Sequence, residues 1–234
     1  MPQPSNVDPR EIDKFNQLGS LWWDPRGPMH SLHTVNPLRA AFIASIGDLQ
    51  DGELLDVGCG AGILTEALAK LGARVTAIDL SEDVLELARR HASAQGLKID
   101  YRFISAEQLA EQQPATFDIV TCMEVLEHIP EPRRVVAACS QLLKPGGHAF
   151  FSTIDRSLKS FVFAIFGAEY ILRLLPRGSH RYGALIRPAE LRSWAASSGL
   201  SFAASASLLY NPFTSKFKLA DVEDVNYLMR FTKV

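Results

Sequence analysis

In the stretch "MEVLEH", two carboxylates and an imidazole, Glu124, Glu127 and His128, follow directly on the apolar run "FDIVTC". If this stretch forms a helical turn, spacings of three and four set the three side chains on one face. Two chemistries then compete. The two carboxylates and the imidazole can hold a hard divalent cation that lowers the pKa of a bound hydroxyl. Alternatively, His128 works without metal as a general base, or only caps a turn. A second group lies upstream in "LLDVGCGAGIL", where Gly58, Gly60 and Gly62 form a G-x-G-x-G pattern. Glycine permits positive φ and close backbone approach. The dinucleotide fingerprint needs Gly or Ala at position 63, which is Ile63, and no phosphate-loop Lys-Ser/Thr pair follows. A ligand without a pyrophosphate therefore suits the loop better. Asp79 closes the next apolar run, "RVTAID". At a strand's carboxyl end, an aspartate can accept both hydroxyls of a ribose. Ser81 is the better placed residue to cap the helix that follows.

These residues need a scaffold of alternating elements. From Glu53 the chain reads as "ELLDV", a helix to Leu71, "RVTAIDL", helix "SEDVLELARRHASAQG", "IDYRFI", a polar stretch, and "FDIVTCM". Helix "PRRVVAACSQLL" and strand "GGHAFFSTI" follow. Short apolar and β-branched runs between amphipathic helices predict parallel strands with crossover helices on both faces. After a helix at "RPAELRSWAASSGL", the runs "SFAASASLLY" and "VNYLMRFTKV" read as two late strands joined through "NPFTSKFKLADVED" in a hairpin-like edge. Upstream, Ile12, Phe15, Leu18 and Leu21 have helical spacing over residues 9–21. A second helix is expected to begin at Pro37, with Arg39 in its opening turn.

The chain has 234 residues, 47% hydrophobic and 21% charged, which suits one globular domain with a sizeable core. A formal net charge of −2 gives no global reason to expect nucleic-acid binding. Cys59, Cys122 and Cys139 are odd in number and widely spaced, which points to a reducing cytoplasm and not to a disulfide framework or zinc cluster. The start, "MPQPSNVDPREIDKF", lacks the pattern of a secretory signal, and no apolar run is long enough for a spanning helix.

The glycine loop, Asp79, "FDIVTCMEVLEH" and "LLKPGGHAFFST" resemble the class I S-adenosylmethionine-dependent methyltransferases. More narrowly, "WWDP", "LHTVNPLR", "VTCMEVLEHIPEP", "GAEYILR", "YNP" and "DVNY" resemble the ubiquinone-biosynthesis O-methyltransferases. The resemblance covers nearly the whole chain. It implies a doubly wound α/β fold: a mostly parallel, seven-stranded sheet of Rossmann-like methyltransferase topology with an antiparallel edge strand. Within the single domain it implies a helical cap (residues 1–50), a cofactor-binding core (51–155), a substrate- or membrane-facing insertion (156–187), and a terminal helix and strands (188–234). It further implies that Gly58 passes beside the amino-acid moiety of S-adenosylmethionine, Asp79 holds its ribose, Met123 borders it, and Arg39 meets its carboxylate. Magnesium-dependent relatives support the metal at Glu124, Glu127 and His128; metal-free methyltransferases with the same E-x-L-E-H pattern support the base.

The implied reaction is methylation of ring hydroxyls on polyprenylated phenols and catechols, 2-polyprenyl-6-hydroxyphenol and 3-demethylubiquinol, at both O-methylation steps of ubiquinone synthesis. A different small-molecule acceptor, or a non-catalytic membrane-associated assembly protein, are the alternatives. Residues 158–177 combine Phe161, Phe163, Phe166 and Tyr170 with Lys159, Arg173 and Arg177. That composition suits either a core helix or an interfacial lid on an anionic membrane surface. Because the implied substrate is lipidic, the resemblance favours a cytoplasmic protein held peripherally at the inner membrane, with other ubiquinone-biosynthesis proteins as potential partners. His30, His33, His91, His148 and His180 lack comparable surroundings and read as structural or surface residues.

Overall fold

A computed structural model describes residues 6–156, 182–211, 214 and 216–234. Its strands are β1 (Glu53–Val57), β2 (Arg74–Asp79), β3 (Asp100–Phe103), β4 (Phe117–Met123), β5 (Leu143–Ile154), β6 (Leu200–Asn211), β7 (Lys216–Ala220) and β8 (Asn226–Lys233). They form one eight-stranded sheet in the order β3-β2-β1-β4-β5-β8-β6-β7. The first five run parallel; β8 is antiparallel to β5 and β6, and β7 is antiparallel to β6. The described helices are α1 (Pro9–Asn16), α2 (His30–Ala44), α3 (Ile63–Lys70), α4 (Glu82–Ala94), α5 (Ala106–Gln112), α6 (Pro132–Leu142) and α7 (Pro188–Ser197). No helix among the described residues is long and apolar enough to cross a membrane.

Alternation along each central strand sends neighbouring side chains to opposite faces. Leu54 and Phe150 pack with Ile43 of α2 and Leu68 of α3, whereas Leu55 and Phe151 pack with Leu109 of α5, Val136 of α6 and Leu191 of α7. With both faces covered, the parallel strands are apolar almost throughout. Ala77 of β2 packs on Leu85 and Ala88 of α4. The three cysteines are buried and free.

Four expectations need correction. The helix expected over residues 9–21 stops at Asn16: Gly19 takes φ +47°, and Gly19–Trp23 continue as a 3-10 helix. Helix α2 starts at His30, so Pro37 lies inside it and Arg39 is well past the opening turn. Proline removes one helical hydrogen bond, and tertiary bonds on either side hold the helix: Asn36 Nδ2 donates to the Ile63 carbonyl at 2.9 Å, and Arg39 pairs with Glu124. The polar stretch after β3 contains α5, whose Ser105 and Gln108 form a reciprocal capping box. The sheet has eight strands, not seven, because "KFKLA" in the expected connection pairs with β6 as β7. Phe217 and Leu219 of β7 pack against the cluster of Val35, Leu208 and Leu228, which anchors the edge to α2.

Candidate active site

The sheet order reverses between β1 and β4, and the loops leaving the carboxyl ends of these strands open onto a cavity of about 840 Å³. Such a switch point is where open α/β sheets place ligands. Gly58 and Gly60 line it, directly after β1. Gly58 has φ +67°, and a Cβ there would stand 2.4 Å from Val125 Cγ2. Gly60 has φ +53°, and a Cβ would meet the Trp22 ring at 3.0 Å. The bare backbone thus serves two purposes: it turns left-handed, and it lets the loop lie against the turn after β4 and beneath Trp22.

Asp79 ends β2 and faces the same cavity. Its Oδ2 accepts the Gly60 N–H at 2.9 Å and its Oδ1 accepts the Ser81 N–H at 3.0 Å. A carboxylate has about four lone-pair positions, so two bonds leave capacity for a ligand's hydroxyls. Burial raises the Asp79 pKa, and the backbone N–H groups of Gly60, Ser81 and Leu80 oppose that rise. Ser81 does cap α4, accepting the Val84 N–H at 3.1 Å. Beneath the loop, Asp56 accepts from Thr65 at 2.6 Å and Thr121 at 2.7 Å. Burial nevertheless moves its pKa up to about 6.

Met123 and Arg39 also line the cavity. Met123 is the last residue of β4. Arg39 is buried; its Nη2 lies 2.9 Å from Glu124 Oε1, and among the described residues its Nε has no hydrogen-bond partner. A guanidinium in a cavity wall is suited to an anionic ligand group.

Glu124, Glu127 and His128 do not share a face. Glu124 has φ +55°, an uncommon value for a residue with a side chain, and the 3-10 turn Leu126–His128 begins after it. The three side chains diverge. Glu124 Oε1 takes Arg39 and a 2.8 Å hydrogen bond from Ser152; Glu127 turns into the core and accepts from Thr153 at 2.9 Å. His128 Nδ1 stands 2.9 Å from Glu11 Oε2 of α1. Burial, reinforced by Glu124, pushes the Glu127 carboxyl up to about 8, so it is largely protonated at neutral pH. Among the described residues no group of three His, Cys, Asp or Glu side chains is gathered to hold a metal ion. As arranged, the trio does not fit a magnesium site.

Glu11 carries no sequence signal, and Trp22 belongs to "WWDP", which carries the resemblance without marking a site residue. Glu11 lies 117 residues from its partner, and Trp22 matters because its ring covers Gly60. The other described histidines serve structure: His33 Nε2 lies 2.8 Å from the Trp22 carbonyl, and His91 stacks on Trp23 at 3.4 Å while contacting Glu66 at 2.7 Å. His30 lies against the Pro25 carbonyl and His148 against Thr232. His180 and the segment 158–177 lie outside the described residues.

Comparison with known proteins agrees with this architecture. Residues 55–151 match the methyltransferase domain model. A magnesium protoporphyrin IX methyltransferase from Synechocystis, solved with bound SAH, superposes with a TM-score of 0.71 at 20% identity, covering 97% of this chain and 100% of that one. At that identity the likeness is one of fold. In sequence, the ubiquinone biosynthesis O-methyltransferase of Methylococcus capsulatus is 54% identical over 97% of this chain and 96% of its own length. That of Nitrosococcus oceani is 52% identical over 95% and 94%. That of Pseudomonas aeruginosa is 50% identical over 97% of each. Identity of this order along nearly the full length makes the chain a member of the ubiquinone biosynthesis O-methyltransferase family.

Proposed function

We propose that the protein transfers the methyl group of S-adenosylmethionine to a ring hydroxyl of polyprenylated phenols and catechols in ubiquinone biosynthesis. The observation that carries this reading is a single cavity: the glycine loop and Asp79 line it together with His128 and an apolar wall. The cofactor, when bound, supplies an electrophilic methyl group on a sulfonium. Asp79 holds the ribose hydroxyls, the Gly58 backbone lies beside the amino-acid moiety, and Met123 borders the cofactor. Arg39, which lines the cavity, is the donor toward the carboxylate.

A phenol-like hydroxyl has a pKa of about 10, so at neutral pH it needs a proton acceptor in place. His128 takes that role: its ring lines the cavity, with Nδ1 2.9 Å from Glu11 Oε2, and it receives the hydroxyl proton and passes it to solvent. No step is assigned to magnesium, because Glu124 and Glu127 are engaged elsewhere. The wall formed by Val35, Leu208, Tyr210 and Phe217 supports an apolar substituent on the acceptor. Tyr210 and Phe217 pack with ring centroids 5.0 Å apart, giving that wall a firm aromatic surface.

The composition of residues 158–177 supports reversible contact with an anionic membrane, where a long isoprenoid tail need not enter water; each buried methylene is worth about 0.8 kcal/mol. Chromatography of reactions containing 3-demethylubiquinol tests the acceptor. Addition of one methyl group to the acceptor is the expected result, and transfer to other small catechols but not to the prenylated one would redirect the assignment. Flotation with anionic liposomes at low salt tests the membrane contact.

A further inference from the structure

We infer that Asn226 is a specificity-determining residue of the acceptor site: its side-chain amide recognises a second ring hydroxyl beside the one that is methylated, and so selects catechols over simple phenols. The inference rests on the proposed transfer to a ring hydroxyl and names the feature of the ring that this site reads. Asn226 opens β8 in the segment "DVNY" and lines the cavity. Its Oδ1 is buried and, among the described residues, accepts no hydrogen bond. A buried amide oxygen left unpaired is costly, so its place in the wall of a ligand cavity points to a donor on the ligand. A hydroxyl supplies that donor; a bare ring edge does not.

The strands fix where the amide stands. Asn226 pairs with Ile154, the last residue of β5, at the carboxyl end of the parallel strands, where Gly58, Asp79 and Met123 also meet the cavity. Alternation along β8 sends Tyr227 into the layer under α5, α6 and α7, where its hydroxyl donates to the Ile186 carbonyl at 2.9 Å. Asn226 therefore shares the opposite face with Leu228, which packs with Val35 of α2. One position beyond the last β6–β8 pair, Ser207 with Tyr227, come Leu208 and Asn226, so the amide adjoins the apolar wall. That wall suits a prenyl substituent, and the amide then lies beside the ring that carries it. The backbone here is held on both sides. Asp155 N–H donates to the Val225 carbonyl, Val225 N–H to Asp224 Oδ1, and Asp224 N–H to Ser207 Oγ, each at 2.8 Å. The broad terminal torsion of asparagine lets the amide turn toward a ring hydroxyl without moving this backbone.

The test uses the native protein and Asn226→Leu with two short-tailed acceptors that differ by one group: a prenylated catechol, and the prenylated phenol that lacks the second hydroxyl. Calorimetry on protein saturated with S-adenosylhomocysteine should show the native protein binding the catechol about tenfold or more tighter than the phenol. Asn226→Leu should bind the two within about twofold of each other. Its kcat/KM for the catechol should fall about tenfold or more, with S-adenosylhomocysteine affinity within about twofold of native. Because leucine removes an unpaired polar atom, the variant should melt no lower than the native protein. Asn226→Ala repeats the comparison with less bulk. Native protein that binds both acceptors equally overturns the inference without recourse to any variant. So does a variant that keeps the native preference, and so does one whose affinity for both acceptors falls equally together with its melting temperature, as loss of a structural residue would produce. If the native protein transfers no methyl group to either acceptor, the functional reading fails, and the ratio of catechol to phenol binding still decides what Asn226 reads.

Discussion

The Asp79 carboxylate accepts the Gly60 amide at 2.9 Å, so the acid at the end of β2 and the glycine loop after β1 form one unit. Asp79→Ala should therefore act twice. It removes the acceptor for the cofactor's ribose and frees two backbone N–H groups, those of Gly60 and Ser81. Losing charge-assisted bonds of about 1.5–3 kcal/mol corresponds to tenfold or greater loss of affinity. Calorimetry with S-adenosylhomocysteine should show that loss together with a lowered melting temperature. Unchanged affinity would remove Asp79 from the binding site.

Gly58→Ala tests why the loop is bare. The backbone at φ +67° and the 2.4 Å approach to Val125 both oppose a methyl group. Destabilisation of about 1–3 kcal/mol is expected from each source. Adding Val125→Ala should relieve the steric part and leave the conformational part. Denaturant unfolding of the single and double variants separates the two; equal stability of both variants would mean that the contact with Val125 costs nothing.

Glu127 predicts a pH dependence of stability. Its carboxyl sits at about 8 in the folded protein against an ordinary 4.5, through burial and the nearby Glu124. Between those values the folded chain binds more protons than the unfolded chain, so stability falls as pH rises. The penalty is absent below the lower value and complete above the upper one. Glu127→Gln cannot ionise, and its melting temperature should decline less than that of the native protein between about pH 5 and pH 8.5. Parallel declines would show that Glu127 is not the group responsible.

The divergence of Glu124, Glu127 and His128 predicts that methyl transfer survives chelation. Protein treated with EDTA and shown by elemental analysis to be metal-free should keep its kcat. Restoration by magnesium of an activity lost on chelation would require these side chains to regroup around the ion.

Fold and site were legible to different depths. Strands β1, β2, β4 and β5 stand out because burial on both faces makes them continuous apolar runs, and Ser81 stands out because a cap is a local matter. Strand β7 alternates Phe217 and Leu219 with lysines, a period-two signal obscured by the turn residues around it. Pro37 misled because its local penalty is outweighed by contacts with α3 and Glu124 that no local pattern displays. Within the site, Asp79 could be placed from its strand end, and Gly58 and Met123 from the family resemblance. The directions of Glu124, Glu127 and His128 could not, since they depend on one positive φ at Glu124 and on partners from α2, β5 and α1.

The most direct test of the account is a single-turnover experiment with methyl-labelled S-adenosylmethionine and 3-demethylubiquinol, run on the native protein, Asp79→Asn and His128→Asn. The native protein should place one label on the ring oxygen. Asp79→Asn should need far more cofactor to do so, whereas His128→Asn should bind the cofactor normally and transfer about 10²–10⁴-fold more slowly. Native-like transfer by His128→Asn, or no labelled quinol from the native protein, would contradict the account.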